Sequence, residues 1–347
     1  MAKRPGFALG GEVVAPGDRR TVALPVSVLS DHTAVAMSVH VVHGRRPGPT
    51  LFVSGCIHGD EVIGTEIVRR ILASKVLGRL RGTLLAVPVV NAYGLINQSR
   101  YLPDRRDLNR CFPGSEGGSL AARLAHRFLH EIVARSDLGI DLHSAAIHRI
   151  NYPQIRVSPD DPAMADLATS FGAPVVIHSP LRPGSLREAA RRVGTPVLLY
   201  EAGEGLRFDE TCVRAGVAGV LRVMQAQGML PARTVSVPRA APQTCLSSKW
   251  LRAPMGGLLR TYAADGTAVE RGQLLAVVAD PFGETEAEIR APADGLIVGR
   301  AVMPIVNEGD AIFHLGRMAA PAGTEGAVER FEAQMESDPL FDEDEIL

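Results

Sequence analysis

The chain has 347 residues, of which 46% are hydrophobic and 22% charged, enough for one large domain with an appendage or for two ordinary domains. Its 37 Lys+Arg against 38 Asp+Glu leave a formal net charge of −1, which excludes a strongly basic nucleic-acid binder and a disordered acidic protein. No apolar run is long enough to span a bilayer, and the start MAKRPGFALGG has no apolar core after its basic residues, so neither a membrane span nor a signal peptide is expected. Cys56, Cys111, Cys212 and Cys245 are scattered without a CxxC pair. That suits reduced thiols in a cytoplasmic protein. With 35 Gly and 24 Pro beside 5% aromatics, the chain is rich in turns, and the question is what the loops carry.

The first fifty residues read as short strands, including the β-branched run 33–42. A short apolar strand at 51–53 runs into SGCIHGDE, and Val62, Ile63, Ile67, Ile71 and Leu72 then recur at helical spacing. A strand at 83–90 enters a long polar loop, 91–118. A helix at 119–135 leads to a strand ending in IDLHSA. Helices near 162–171 and 186–192 alternate with strands at 175–177 and 196–201, and a helix at 210–227 closes the series. Such alternation predicts an α/β domain with a largely parallel sheet, whose ligands bind beyond the carboxyl ends of the strands.

After residue 230 the texture becomes short β-like runs between Gly and Pro. Here APMGGLL from Ala253 matches APADGLI from Ala291, and each copy is followed by a Val-x-x-Gly turn, at Val269/Gly272 and Val306/Gly309. Two similar halves predict a small pseudo-symmetric β-sandwich. From Ala319 nine acids face the single base Arg330, which reads as a solvated, mobile tail.

His58 and Glu61 of HGDE lie where a strand meets a helix, and His143 ends the IDLHSA strand. Catalytic zinc takes three N/O ligands and keeps a fourth position for water, so these three side chains form a candidate metal site. Asp141, two residues before His143, is positioned to support it from behind. Glu201 ends the PVLLY strand at the same edge and is the candidate general base, with Glu204 the weaker alternative. The long loop holds Arg100, Arg105, Arg106, Asn109 and Arg110, whose guanidinium forks suit an anionic substrate group.

GCIHGDE, SRY…DLNRCF, DLHS and YEAGE, in this order, resemble the succinylglutamate desuccinylase/aspartoacylase family, a deacylase branch of the zinc carboxypeptidases. The resemblance covers roughly residues 49–228. It implies a zinc-carboxypeptidase-like catalytic domain over 1–232, with a mixed, mostly parallel sheet flanked by helices. A barrel-sandwich β domain like biotinyl/lipoyl domains follows over 233–317, then the acidic tail 318–347. By the same resemblance His58, Glu61 and His143 bind one zinc ion. Asn109 and Arg110 hold the substrate's α-carboxylate, and Glu201 promotes the water. Arg100 polarises the scissile carbonyl, with Arg105 and Arg106 as alternatives, and Arg187 contacts the side-chain end of the substrate. The expected activity is deacylation of a small anionic N-acyl amino acid; C-terminal peptide cleavage is the alternative, and a non-catalytic carboxylate binder a third.

Other features are set aside. His126 and His130 lie four apart on an amphipathic helix and read as surface or packing residues, and His148 as a residue lining the pocket. Cys111 has no base beside it to make a nucleophile. No phosphate-cradling glycine loop is present. No lysine lies between Asp280 and Ala291, where a carrier domain presents one, so the β domain is expected to shape the active site or form a homo-oligomer contact.

Overall fold

A computed structural model describes residues 4–318 and 324–338. Its first part runs β1 (Phe7–Leu9), β2 (Glu12–Val14), β3 (Arg19–Val28), β4 (Ala34–His43), β5 (Arg46–Gly55), α1 (Ile63–Ala73), β6 (Arg81–Val87), α2 (Ala92–Ile96), α3 (Leu120–Glu131), β7 (Leu138–His143), β8 (Arg149–Val157), α4 (Pro162–Phe171), β9 (Val175–His178), α5 (Leu186–Arg192), β10 (Val197–Glu204) and α6 (Glu210–Ala226). The second part runs β11 (Gln243–Arg252), β12 (Gly257–Thr261), β13 (Ala268–Val269), β14 (Leu274–Ala279), β15 (Glu286–Arg290), β16 (Gly295–Ala301), β17 (Ile305–Val306), β18 (Ala311–Met318) and α7 (Thr324–Ser337).

One twelve-stranded sheet, in the order β13-β16-β18-β11-β9-β8-β10-β7-β5-β6-β4-β3, crosses the molecule. The pairs β6–β5, β5–β7, β7–β10, β8–β9 and β9–β11 are parallel. Antiparallel pairs β3–β4 and β4–β6 close one side, and β8 runs antiparallel to β10. The sheet is therefore mixed. Period-two alternation feeds a core on each face: Leu84 and Ala86 join α1, α4 and α6, whereas Leu85 and Val87 join α3 and α5. Each fully buried leucine or valine side chain among these contributes roughly 1.5–3 kcal/mol. The helix starts are written locally, since Ser119, Asp161, Ser185 and Asp209 each accept a backbone N–H of the first turn they cap.

β8 is not among the strands read from the sequence, and it carries Pro153, a residue unusual in a central strand. The register explains how it is tolerated. Glu201 pairs with Gln154 and Gly203 with Asn151, so β8 carries one residue more than β10 over this stretch, and Pro153 sits in that bulge.

The second part is built by exchange between its repeats. Gly257 of the first copy pairs with Val306 of the second, and Gly295 of the second pairs with Val269 of the first. The turn glycines Gly272 and Gly309 both adopt φ 85°, a left-handed conformation that glycine takes without strain. Their N–H groups donate to the carbonyls of Ala291 and Ala253 respectively, each again in the other copy. A four-stranded sheet, β15-β14-β12-β17, encloses with the larger sheet a core that includes Leu275, Val278, Ile297, Ile312 and Phe313. This unit is not hung on a linker. β11 extends the sheet beside β9, and β16 pairs with β8 through Gly299 and Asn151.

The acidic segment differs from expectation. Residues 324–337 form α7, whose Ala327, Phe331 and Met335 are buried at four-residue spacing against α6 and the first core. Arg214 donates to the Met335 carbonyl (3.1 Å) and Gln334 to that of Val237 (2.9 Å). The density of acids on the exposed face hid this apolar stripe. Residues 319–323 and 339–347 of the expected tail lie outside the described residues. No described helix is long and apolar enough to cross a membrane.

Candidate active site

The parallel strands end together, and their ends carry the polar side chains. Glu201 of β10 stands in register with His143 of β7, and Gly55 of β5 with Leu142. From Gly55 the chain makes the HGDE turn into α1, closed by the Glu61 N–H bonding to the His58 carbonyl (3.1 Å). Gly59 permits that turn to seat against α2, because a Cβ there would lie 1.9 Å from the Gly94 carbonyl carbon.

His58, Glu61 and His143 meet in a buried cluster whose ligand atoms all lie within 4.8 Å of one another. His58 Nδ1 lies 2.6 Å from Glu61 Oε1, and His143 Nδ1 lies 2.6 Å from Glu61 Oε2. Each imidazole turns its other nitrogen to a carboxylate: His58 Nε2 to Asp107 (3.0 Å) and His143 Nε2 to Asp141 (2.7 Å). Asp141 is held in turn by the Ser54 hydroxyl (2.8 Å). Arg100 donates to Glu61 (3.0 Å) and twice to Asp107 (2.9 and 3.2 Å).

The electrostatics follow from this packing. Burial would lower both histidine pKa values, but the charges of Glu61 and Asp141, with their hydrogen bonds, raise that of His143 well above its ordinary value. For His58, Glu61 and the bond to Asp107 likewise outweigh burial. Burial pushes the Glu61 and Asp107 carboxyls up. The facing histidines, with Arg100 for Asp107, pull both well below the usual range. The cluster is thus a field that stabilises positive charge. Two imidazoles backed by carboxylates, plus one carboxylate, fit a zinc ion with an open fourth position.

Over the cluster lies a cleft of about 250 Å³. Glu201 lines it and is oriented by Asn151 (2.7 Å) and Arg156 (3.2 Å). Asn109 and Arg110 also line it, and the Asn109 side chain accepts the Leu186 N–H (2.8 Å), which ties the DLNR turn to the start of α5. Arg100 and Arg187 reach the same cleft, whereas Arg105 and Arg106 are exposed and do not line it. Arg187 bonds only the Ser179 carbonyl (3.2 Å) among the described residues, and burial beside Arg156 lowers its pKa to about 10. Glu204 instead accepts the His148 N–H (3.0 Å), outside the cleft. His148 is exposed and does not line the cleft as the sequence suggested; its neighbour Arg149 does. His126 and His130 lie on α3 with ring centroids 4.2 Å apart, away from the cluster.

Sequence reasoning missed Asp107, Asn151, Arg156 and Trp250. Asp107 sits in the DLNR motif itself, two residues before Asn109, so the signal was present. Asn151 and Arg156 belong to the unread strand β8. Trp250 comes from β11, so the C-terminal unit contributes directly to the cleft wall.

A mixed α/β sheet with one polar centre beneath a strand-end cleft is the architecture of a small-molecule α/β enzyme. Residues 47–227, just over half the chain, match the succinylglutamate desuccinylase/aspartoacylase catalytic domain, and the chain belongs to that family. It is 27% identical over 344 residues to the N-alpha-acetyl-L-2,4-diaminobutyric acid deacetylase of Halomonas elongata, covering 93% of this chain and 100% of that protein. Among solved structures, the product-bound ectoine utilization protein EutE (DoeB) of Ruegeria pomeroyi superposes with a TM-score of 0.78 at 24% identity, over 86% of this chain and 95% of that one. An aspartoacylase family protein of Mesorhizobium loti gives a TM-score of 0.77 at 23% identity, over 92% and 99%. The first of these relatives is named as a deacetylase and the last as a member of the aspartoacylase family.

Proposed function

We propose that this protein hydrolyses the amide bond of a small N-acyl amino acid, using one zinc ion held by His58, Glu61 and His143, to release a carboxylate and the free amino acid. The observation that supports this most is the convergence of one ligand atom each from His58, Glu61 and His143 within 4.8 Å, in a cleft that Glu201 also lines. When bound, zinc supplies a Lewis acid and a water of lowered pKa. The remaining roles belong to the chain. Glu201, fixed by Asn151 and Arg156, takes the proton of the attacking water and returns it to the leaving amine. Arg100 stabilises the oxyanion that develops on the scissile carbonyl. Asn109 and Arg110 clamp the α-carboxylate, and Arg187 faces the side-chain end. We also read the sheet as carboxypeptidase-like over 1–232, and 233–317 as a barrel-sandwich domain, on the reciprocal pairing of its repeats.

The test is elemental analysis with a deacylation panel of N-acetyl and N-succinyl amino acids, N-acetyl-2,4-diaminobutyrate included. Dipeptides in the same panel separate deacylation from peptide cleavage. Glu201→Gln should keep the metal and lower kcat about 10²–10⁴-fold. Wild-type turnover by that variant would overturn the role of Glu201.

A further inference from the structure

Glycine weakens a strand, because it gives up the most conformational freedom on folding and has no side chain to pack. Gly299 nevertheless sits inside β16, paired with Asn151 of β8 on one side and with His314 of β18 on the other. Its φ lies outside the left-handed region, so the backbone conformation does not ask for glycine. Close approach does. A Cβ there would lie 2.7 Å from Asn151 Oδ1 and 2.9 Å from the Ile150 carbonyl oxygen. Asn151 is buried, and the two ends of its amide have different tasks. A carboxylate only accepts, so Nδ2 is the end that meets Glu201 Oε2 (2.7 Å). Oδ1 is then turned to β16, at the place where Gly299 leaves room for it.

The other carboxylate oxygen of Glu201 takes Arg156 (3.2 Å), so both partners come from β8, one on each side of the bulge at Pro153. β16 holds that bulge at a second point. It carries a bulge of its own, since Ile297 pairs with Leu315 and Gly299 with His314, which leaves Val298 extra. The Val298 carbonyl accepts Nε2 of the buried Gln154 (3.0 Å), and the same Nε2 reaches the Tyr152 carbonyl (3.2 Å). Behind β16 stands β18, whose buried His314 is stacked on Trp250, with ring centroids 4.7 Å apart and planes 6° from parallel. Its Nε2 is fixed by the Ser248 hydroxyl (2.8 Å). The bulge that aims Glu201 is therefore gripped between β10 and a braced strand of the C-terminal unit.

We infer that Val298 and Gly299 are positioning residues for Glu201: β16 pins the bulge of β8 and, by withholding a side chain at position 299, lets Asn151 aim the general base. This rests on the deacylase reading and goes beyond it, since the two parts of the chain then share one reacting geometry. Glu201 belongs to the first part, and the strand that seats its amide partner belongs to the second. A shift of about 1 Å in a reacting group can cost about 10²-fold in rate, so a methyl group at 299 is felt at Glu201 through Asn151.

The test is a double-mutant cycle on the metal-loaded full chain, read by turnover and by urea unfolding. Gly299→Ala should lower kcat about tenfold with KM and metal content unchanged, and Asn151→Ala at least as much. The double variant should turn over no more slowly than Asn151→Ala, because no amide remains to be displaced. A merely structural role for Gly299 predicts the same loss in both backgrounds. Should Gly299→Ala fail to fold, Gln154→Met takes its place in the cycle. It removes the bond to Val298 without adding bulk, and should lower kcat about threefold in the wild type but not in Asn151→Ala. Losses that multiply, or a first substitution without effect on kcat, would overturn the inference and leave the deacylase. Urea midpoints read the same contact without turnover: the shift caused by the first substitution should shrink in the Asn151→Ala background. That shrinkage without cleavage of any N-acyl amino acid would sink the deacylase reading and leave the link from β16 to Asn151 standing.

Discussion

The inner and outer ends of one cleft handle charge in opposite ways. At the inner end the charged groups that line the cleft are answered: Glu61 has two imidazoles and Arg100, and each imidazole has a second carboxylate behind it. At the outer end Arg149 and Arg182 have no carboxylate among the described residues, and one of them leans on an aromatic ring. Leaving a buried charge unpaired costs several kcal/mol, so the inner groups must be paired within the protein. The outer ones are exposed and stay in contact with water. The inner end is thus held by pairs formed on folding, and the outer end stays solvated.

That contrast can be broken at the inner end first. Glu61→Ala removes the carboxylate shared by both histidines. It should abolish metal content by elemental analysis and deacylation together, a loss of at least about 10⁴-fold in kcat/KM. Asp107→Asn is subtler. It leaves the metal-facing atoms untouched but replaces the anion that orients His58 and Arg100, and should weaken zinc affinity by about 10–100-fold in a competitive chelator titration. Retention of wild-type affinity would show that Asp107 serves only to cap the DLNR turn, where it accepts the Asn109 N–H.

The outer end offers a smaller, pH-dependent test. Burial, with Arg156 and Arg182 nearby, lowers the His314 pKa to about 3. Between pH 6.5 and about 3 the unfolded chain then binds a proton that the folded chain refuses. Stability from this group is fully present above pH 6.5 and falls as pH drops, by about 1.4 kcal/mol per pH unit. Urea unfolding of wild type and His314→Gln at pH 7 and pH 4.5 should show the wild type losing about 2–3 kcal/mol more than the variant. Equal losses would mean that His314 is hydrated when Trp250 moves.

Much of this was legible in the primary structure because it was local. The HGDE turn, the DLNR segment, DLHS and the strand before Glu201 are each a few residues whose spacing announces their geometry, and the repeat at Ala253 and Ala291 announces two strands that start alike. Even α7 is visible once Ala327, Phe331 and Met335 are aligned, although the surrounding acids mask them. What the sequence could not supply depends on register and on contacts between distant segments. β8, which carries Asn151, Arg156 and Arg149, was not read from the sequence, and the bulge that accommodates its Pro153 exists only against β10. The sequence favours Arg100 and leaves Arg105 and Arg106 as alternatives, and only the packing of the loop shows which guanidinium reaches Glu61. Trp250 lies more than a hundred residues after His143 and joins the cleft because β11 pairs with β9, a long-range hydrogen-bonded register that no local pattern encodes. Sequence alone determined which chemical groups are present and which strands and turns carry them. The tertiary structure decided which of them face one another, because pairing and burial are set by neighbours far away in the chain.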